Sequence, residues 1–181
     1  PLWSRGLGDV YKRQELPLPI ALSGQDLIGQ ARTGMGKTYG FGVPLLDRVF
    51  DDADIEELDG TPRALVVVPT RELAQQVTKD LQVAAADIPV RLVSIYGGRP
   101  YEEQITKLNK GADVIIGTPG RLIDLHERGN LQLDRVAILV LDEADEMLDL
   151  GFLPSVEAIL QALDGNAHQT MLFSATMPGA I

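Results

Sequence analysis

The chain has 181 residues, 45% of them hydrophobic and 23% charged, which is enough apolar material for one folded core. It contains no cysteine, so disulfides, thiolate metal centres and cysteine nucleophiles are excluded, and its formal net charge of −10 argues, as a bulk number, against a surface for polyanions. Its apolar runs are too short for a membrane-spanning helix, and no apolar stretch of signal-peptide length opens the chain, so a cytoplasmic location is expected.

The first 14 residues, PLWSRGLGDVYKRQ, show no period. Asp9–Gln14 (DVYKRQ) is also what one reading frame of a transposase adapter encodes, so residues 1–14 are expected to be non-native or disordered. The first predicted strand is Asp26–Gln30, followed by ARTGMGKT (Ala31–Thr38) and a helix over Lys37–Phe50. Gly34 and Gly36 let the backbone curl so that successive N–H groups form an anion nest, and the helix N-terminus adds partial positive charge. Lys37 is placed to reach β- and γ-phosphates and the Thr38 hydroxyl to ligate Mg²⁺. Ala31 stands where a phosphate loop normally has its first glycine.

Asp51–Asp59 holds six acids and no base and reads as a solvated loop. Strands are then predicted over Ala64–Val68, Val90–Ile95 and Asp113–Ile116, alternating with helices over Glu72–Ala86, Tyr101–Asn109 and Arg121–Arg128. In Glu72–Ala86, Leu73, Val77, Leu81 and Ala84 recur every three or four residues, marking one buried face. Val136–Leu141 is a continuous apolar strand that runs straight into Asp142-Glu143. An acid leaving a strand beside a phosphate loop can bind Mg²⁺ directly or through water, and Glu143 is placed to deprotonate a water attacking the γ-phosphate. Plain helix-dipole complementation could account for Asp145 and Glu146 but poorly for all four acids. Met147, Leu148, Leu150 and Phe152 read as core behind this turn. A helix over Pro154–Leu163 and a strand over Thr170–Phe173 complete the alternation, which predicts a doubly wound α/β sheet with its chemistry at the carboxyl ends of the strands. His126 and His168 have no partner pattern and read as surface or boundary residues.

The run VLDEADEMLDLGF, with DEAD at Asp142–Asp145, resembles the defining motif of the DEAD-box RNA helicases. PTRELAQQ (Pro69–Gln76), Gly97-Gly98, TPGR (Thr118–Arg121) and SAT (Ser174–Thr176) match that family in order and spacing. The resemblance implies a RecA-like P-loop domain over residues 15–181, incomplete at its C-terminal end, with a second RecA-like domain and its γ-phosphate arginines absent. It implies ATP and Mg²⁺ as cofactors: Ala31, Arg32, Thr33, Gly34, Met35, Gly36, Lys37 and Thr38 on the phosphates, Thr38 and Asp142 on the metal, and Lys37, Asp142 and Glu143 in catalysis. Gln14 lies 12 residues before Asp26, the spacing of the family's adenine-reading Gln, and Leu18-Pro19 falls on the family's Ile-Pro. Ser174 and Thr176 resemble the motif that couples the ATP site to strand separation through the DEAD segment, Asp145 included.

The resemblance makes RNA the partner, its backbone held by Pro69, Thr70, Arg71, Gly97, Gly98, Arg99, Thr118, Pro119, Gly120 and Arg121. The residue types agree independently. Thr70 and Thr118 suit N-caps and Pro119 suits the first helical position, so two helix starts carry an arginine each. Such contacts read the backbone and not the bases. The charge objection also weakens: Asp51–Asp59 and Asp142–Asp149 hold 11 acids, and outside them 15 acids face 16 bases. No transporter signature follows the DEAD strand, since LSGQD (Leu22–Asp26) precedes the phosphate loop, and no N/TKxD base-reading motif of a GTPase is present. The expected function is the ATP-binding half of an RNA helicase that does not unwind by itself. The alternative is a nucleotide-gated RNA clamp that does not hydrolyse.

Overall fold

The computed structural model describes residues 21–30, 35–51 and 58–176. Segment 1–14, with Gln14, lies outside the described residues, as do Ala31, Arg32, Thr33 and Gly34 and most of the acidic loop. The elements are β1 (Leu27–Gln30), α1 (Met35–Asp51), β2 (Ala64–Val67), α2 (Arg71–Ala84), β3 (Leu92–Ile95), α3 (Tyr101–Asn109), β4 (Val114–Gly117), α4 (Pro119–Glu127), β5 (Ile138–Leu141), α5 (Ala144–Asp149), α6 (Leu153–Ala162) and β6 (Gln169–Ser174). The six strands form one sheet in the order β1-β6-β5-β2-β4-β3, and every neighbouring pair is parallel.

The strands' sequences explain their places. β2 (ALVV), β4 (VIIG) and β5 (ILVL) are unbroken apolar runs, and each is buried along its whole length because helices cover both faces. β1 and β3 lie at the two edges and alternate between more and less covered residues. The period of two sorts each central strand onto two cores. Ala64 and Val66 of β2 pack with Phe41 and Leu45 of α1 and Val77 and Leu81 of α2. Leu65 and Val67 pack on the opposite face with Leu122 and Leu125 of α4, Met147 of α5 and Ile159 of α6. The predicted α2 stripe is found there, with Leu73 and Ala84 at its margin.

The sheet's hydrogen bonds continue one residue past the carboxyl ends of its strands. The Asp142 amide donates to the Val67 carbonyl (2.9 Å), Val68 to Gly117 (2.9 Å) and Thr118 to Ile95 (3.0 Å). A Cβ added at Gly117 would lie 2.4 Å from the Ile95 carbonyl oxygen, so only glycine lets β3 and β4 close at this point. At the other end of the sheet the fully buried Asp113 carboxylate is satisfied by Arg91, which donates from its amide (2.8 Å), Nε (3.0 Å) and Nη2 (3.0 Å). His126 and His168 each place Nδ1 against a backbone carbonyl, Leu131 and Asn166 respectively. No helix among the described residues is long and apolar enough to cross a membrane.

Candidate functional site

Because all six strands are parallel, their carboxyl ends share one edge. β6 lies between β1 and β5, so the start of α1, the β5 exit and the β6 exit converge. Met35 and Gly36 open α1, and Lys37 and Thr38 sit in its first turn, both largely buried. Lys37 Nζ lies 2.8 Å from Asp142 Oδ1 and 3.5 Å from Glu143 Oε1, with side chains only 6%, 1% and 14% exposed. Burial pushes the Asp142 carboxyl above its ordinary range; Lys37 opposes that shift and the neighbouring Glu143 charge adds to it. The Glu143 amide donates to Asp142 Oδ1 (2.9 Å), while Asp142 Oδ2 and Glu143 Oε1 are buried with no hydrogen-bond partner.

β5 ends at Leu141 and α5 begins at Ala144, so the chain must turn within two residues. Glu143 takes the turn at φ 52°, ψ 50°, and it is the sole non-glycine residue with positive φ among the described residues. A side chain there costs about 1–2 kcal/mol, a strain characteristic of functional sites. Glu146, one turn on, is held above the usual carboxylate range by a hydrogen bond with Glu143, then by burial and the surrounding acids.

The donors present suit a hard divalent cation. Asp142 offers an unpartnered buried carboxylate oxygen, and Thr38 a buried hydroxyl one residue from Lys37. No cluster of three His, Cys, Asp or Glu ligands exists among the described residues. A cation at this place would therefore draw most of its ligands from phosphate and water, as Mg²⁺ does.

The β6 exit is tied to the same turn. The Thr176 amide and hydroxyl donate to Asp145 Oδ2 (3.2 and 3.0 Å), Ser174 Oγ donates to the Thr176 carbonyl (2.6 Å), and Gln30 Nε2 donates to the Ala175 carbonyl (3.1 Å). Burial pushes the Asp145 carboxyl up, but hydrogen bonds led by Thr176 outweigh it and hold the group below its ordinary range.

The other half of the edge, β2-β4-β3, carries the second set of predicted residues. Thr70 caps α2, accepting from the Leu73 amide (3.2 Å), and the exposed Arg71 follows it beside Pro69. Gly98 turns at φ 79°, and a Cβ there would meet Arg71 Nη1 at 3.3 Å, so these two segments touch. Pro119 occupies the first position of α4 and is buried, whereas nothing lies within 4 Å of where a Gly120 Cβ would be. Arg121 Nη1 donates to the Arg99 carbonyl (2.9 Å) and to Gln104 Oε1 (3.2 Å). The first and second sets are not joined by any side-chain hydrogen bond or ion pair among the described residues; the backbone ladder and the shared cores run between them.

Two expectations are corrected. Thr118 has the extended backbone of an N-cap but makes no side-chain capping bond. Leu148 and Leu150 are 54% and 52% exposed, because the six-residue α5 turns only Met147 fully inward, with Phe152 partly covered. The sequence reading also missed Gln30, Tyr101 and Gln104. Tyr101, Gln104, Ile105 and Leu108 share one face of α3, and an amide within that apolar stripe was the available signal.

The chain was compared with known proteins. Residues 11–181 match the family model described as DEAD/DEAH box helicase. Among curated relatives, DEAD-box ATP-dependent RNA helicase 53 of Oryza sativa is 46% identical over 180 residues, covering 99% of this chain and 29% of the relative. The DEAD-box ATP-dependent RNA helicase CshA of Streptococcus pneumoniae is 48% identical over 168 residues, covering 93% and 31%. Among solved structures, a DEAD box protein from Methanococcus jannaschii superposes with a TM-score of 0.80 at 39% identity, covering 92% of this chain and 44% of that one. A hypothetical ATP-dependent RNA helicase from Sulfolobus tokodaii does so with a TM-score of 0.81 at 35% identity, covering 92% and 46%. The chain thus spans less than a third of the length of these curated relatives. Its RecA-like parallel sheet, the acids leaving β5 and a match over nearly its full length agree: the chain belongs to the DEAD/DEAH box helicase family.

Proposed function

We propose that residues 15–181 form the ATP-binding half of an ATP-dependent RNA helicase, whose whole protein couples ATP hydrolysis to separation of RNA strands across two RecA-like domains. The observation that carries this reading is the buried contact of Lys37 with Asp142 and Glu143, which gathers one cation and two carboxylates at one strand exit. Residues 31–36 would wrap the phosphates with their amides, Lys37 would bind the β- and γ-phosphates, and Gln14 would read adenine. Thr38 and Asp142 would hold Mg²⁺, which when bound neutralises triphosphate charge.

Glu143 is the base: its carboxylate accepts the proton of the water that attacks the γ-phosphate, and its strained backbone aims it from the strand end. Asp145 receives both donors of Thr176, so the β6 exit is placed to register changes at the DEAD turn. Pro69–Arg71, Gly97–Arg99 and Thr118–Arg121 would hold one RNA strand by its phosphates and sugars.

Nucleotide binding and turnover test the reading. Lys37→Ala is expected to weaken binding of a fluorescent ATP analogue by about tenfold or more. Glu143→Gln is expected to retain that binding while RNA-stimulated phosphate release by the intact protein falls by about a hundredfold or more. Unchanged turnover in Glu143→Gln overturns the assignment. An intact wild-type protein that binds ATP and RNA but releases no phosphate would instead be a nucleotide-gated clamp.

A further inference from the structure

Gln104 lies on α3, outside every segment assigned above to ATP or RNA, yet it is 3% exposed and makes two bonds across loops. Its Nε2 donates to the Tyr96 carbonyl (2.8 Å), the residue just before Gly97-Gly98. Its Oε1 accepts from Arg121 Nη1 (3.2 Å). The carbonyl requires a donor and the guanidinium an acceptor, so one amide orientation alone satisfies both. An ionised acid has no donor for the carbonyl and a lysine no acceptor for the guanidinium, so neither could serve both partners.

The consequence falls on Arg121. Nη1 carries two hydrogens, and both are used, one on Gln104 and one on the Arg99 carbonyl (2.9 Å). The Tyr101 ring lies under the guanidinium, 3.9 Å from Cζ to its centroid, and is itself backed by Arg128 at 4.2 Å and bonded through its hydroxyl to Asp124. Plane and rotation of the guanidinium are therefore both fixed. Nε and Nη2 make no other hydrogen bond among the described residues. That edge is the one that binds a phosphate in bidentate fashion.

We infer that Gln104 is a positioning residue: it locks the Gly97-Gly98 turn to Arg121 so that the guanidinium presents its Nε–Nη2 edge to an RNA phosphate, with Tyr101 as the platform beneath it. The inference rests on the proposed role of Arg121 at RNA. A floppy arginine would bind the same phosphate at a greater entropic cost, because its side chain would have to be ordered on binding.

The test is a double-mutant cycle on binding of a fluorescein-labelled oligouridylate of 15 nucleotides, read by anisotropy at low salt, with ATP-analogue binding measured alongside. Gln104→Met keeps the side-chain volume and removes both bonds. It is expected to weaken RNA binding about fivefold, the loss of one oriented hydrogen bond, and to leave ATP-analogue binding unchanged. In an Arg121→Ala background the same substitution is expected to have no further effect. Tyr101→Leu, which removes the platform and leaves the buried amide, should behave likewise and serves where Gln104→Met does not fold.

If Arg121→Ala weakens binding while both single substitutions leave it unchanged, or if their effects add to that of Arg121→Ala, the positioning role is wrong. If Arg121→Ala itself has no effect, the assignment of Arg121 to RNA fails and the inference fails with it.

Discussion

Lys37 compensates a charge that would otherwise be isolated. Asp142 is 1% exposed and burial drives its carboxyl upward, with Lys37 the strongest opposing influence. A carboxyl whose folded pKa lies above its unfolded value destabilises the fold increasingly as the pH rises from the unfolded to the folded value, fully above the folded value, and not at all well below the unfolded value of 3.8. Removing Lys37 moves the folded pKa still higher. Lys37→Met is therefore expected to cost about 3 kcal/mol at neutral pH, in line with a broken buried ion pair, and progressively less as the pH is lowered towards 4. Urea unfolding at about pH 7.5 and about pH 5 checks it, and a cost equal at both would place the effect in packing and not in charge. At this scale the sequence was legible where chemistry demands a residue type at one place. That Lys37 would meet the acids leaving β5 was readable from strand, turn and helix order. Gln104 was not, because an isolated amide in an amphipathic helix resembles any solvated polar residue until its two partners from other segments are known.

The elements differ in how they are secured at their starts. α2 begins with a capping bond that the Leu73 amide donates to Thr70 Oγ1, whereas the equivalent Thr118 at α4 makes none and leaves that start to Pro119. Thr70→Ala is expected to lower stability by about 1 kcal/mol and Thr118→Ala by no more than a few tenths of a kcal/mol, measured by chemical unfolding. α2 was readable because its stripe repeats over 14 residues, and β2, β4 and β5 because each lies in an unbroken apolar run. α5 was not recognised as a helix because six residues complete fewer than two turns. Without a period, Leu148 and Leu150 read as core by composition alone, and their actual exposure is set by the αL turn at Glu143 and the immediate restart at α6.

Across the whole molecule, the net charge of −10 is an average over unlike surfaces. The residues proposed to hold RNA follow the carboxyl ends of β2, β3 and β4 and include Arg71, Arg99 and Arg121, while the acids of the DEAD turn stand beyond β5. With three arginines on three phosphates, the logarithm of the single-strand binding constant is expected to fall with the logarithm of salt at a slope of about −2, and each arginine-to-alanine substitution to reduce that slope by about 0.7. Anisotropy titrations across a series of KCl concentrations measure it, and a flat response would remove phosphate contact as the basis of binding. The backbone ladder along this edge sets a further limit. Asp142, Val67, Val68, Gly117, Thr118 and Ile95 are stitched strand to strand by main-chain bonds of 2.9–3.0 Å. Sliding one strand end against the next would leave buried peptide groups unpaired. The edge therefore acts as a ruler: it holds the spacing between the Asp142 carboxylate and the starts of α2 and α4, which carry Arg71 and Arg121, constant. Under the proposed function, the displacement that parts two RNA strands would come from the proposed second RecA-like domain turning against this edge.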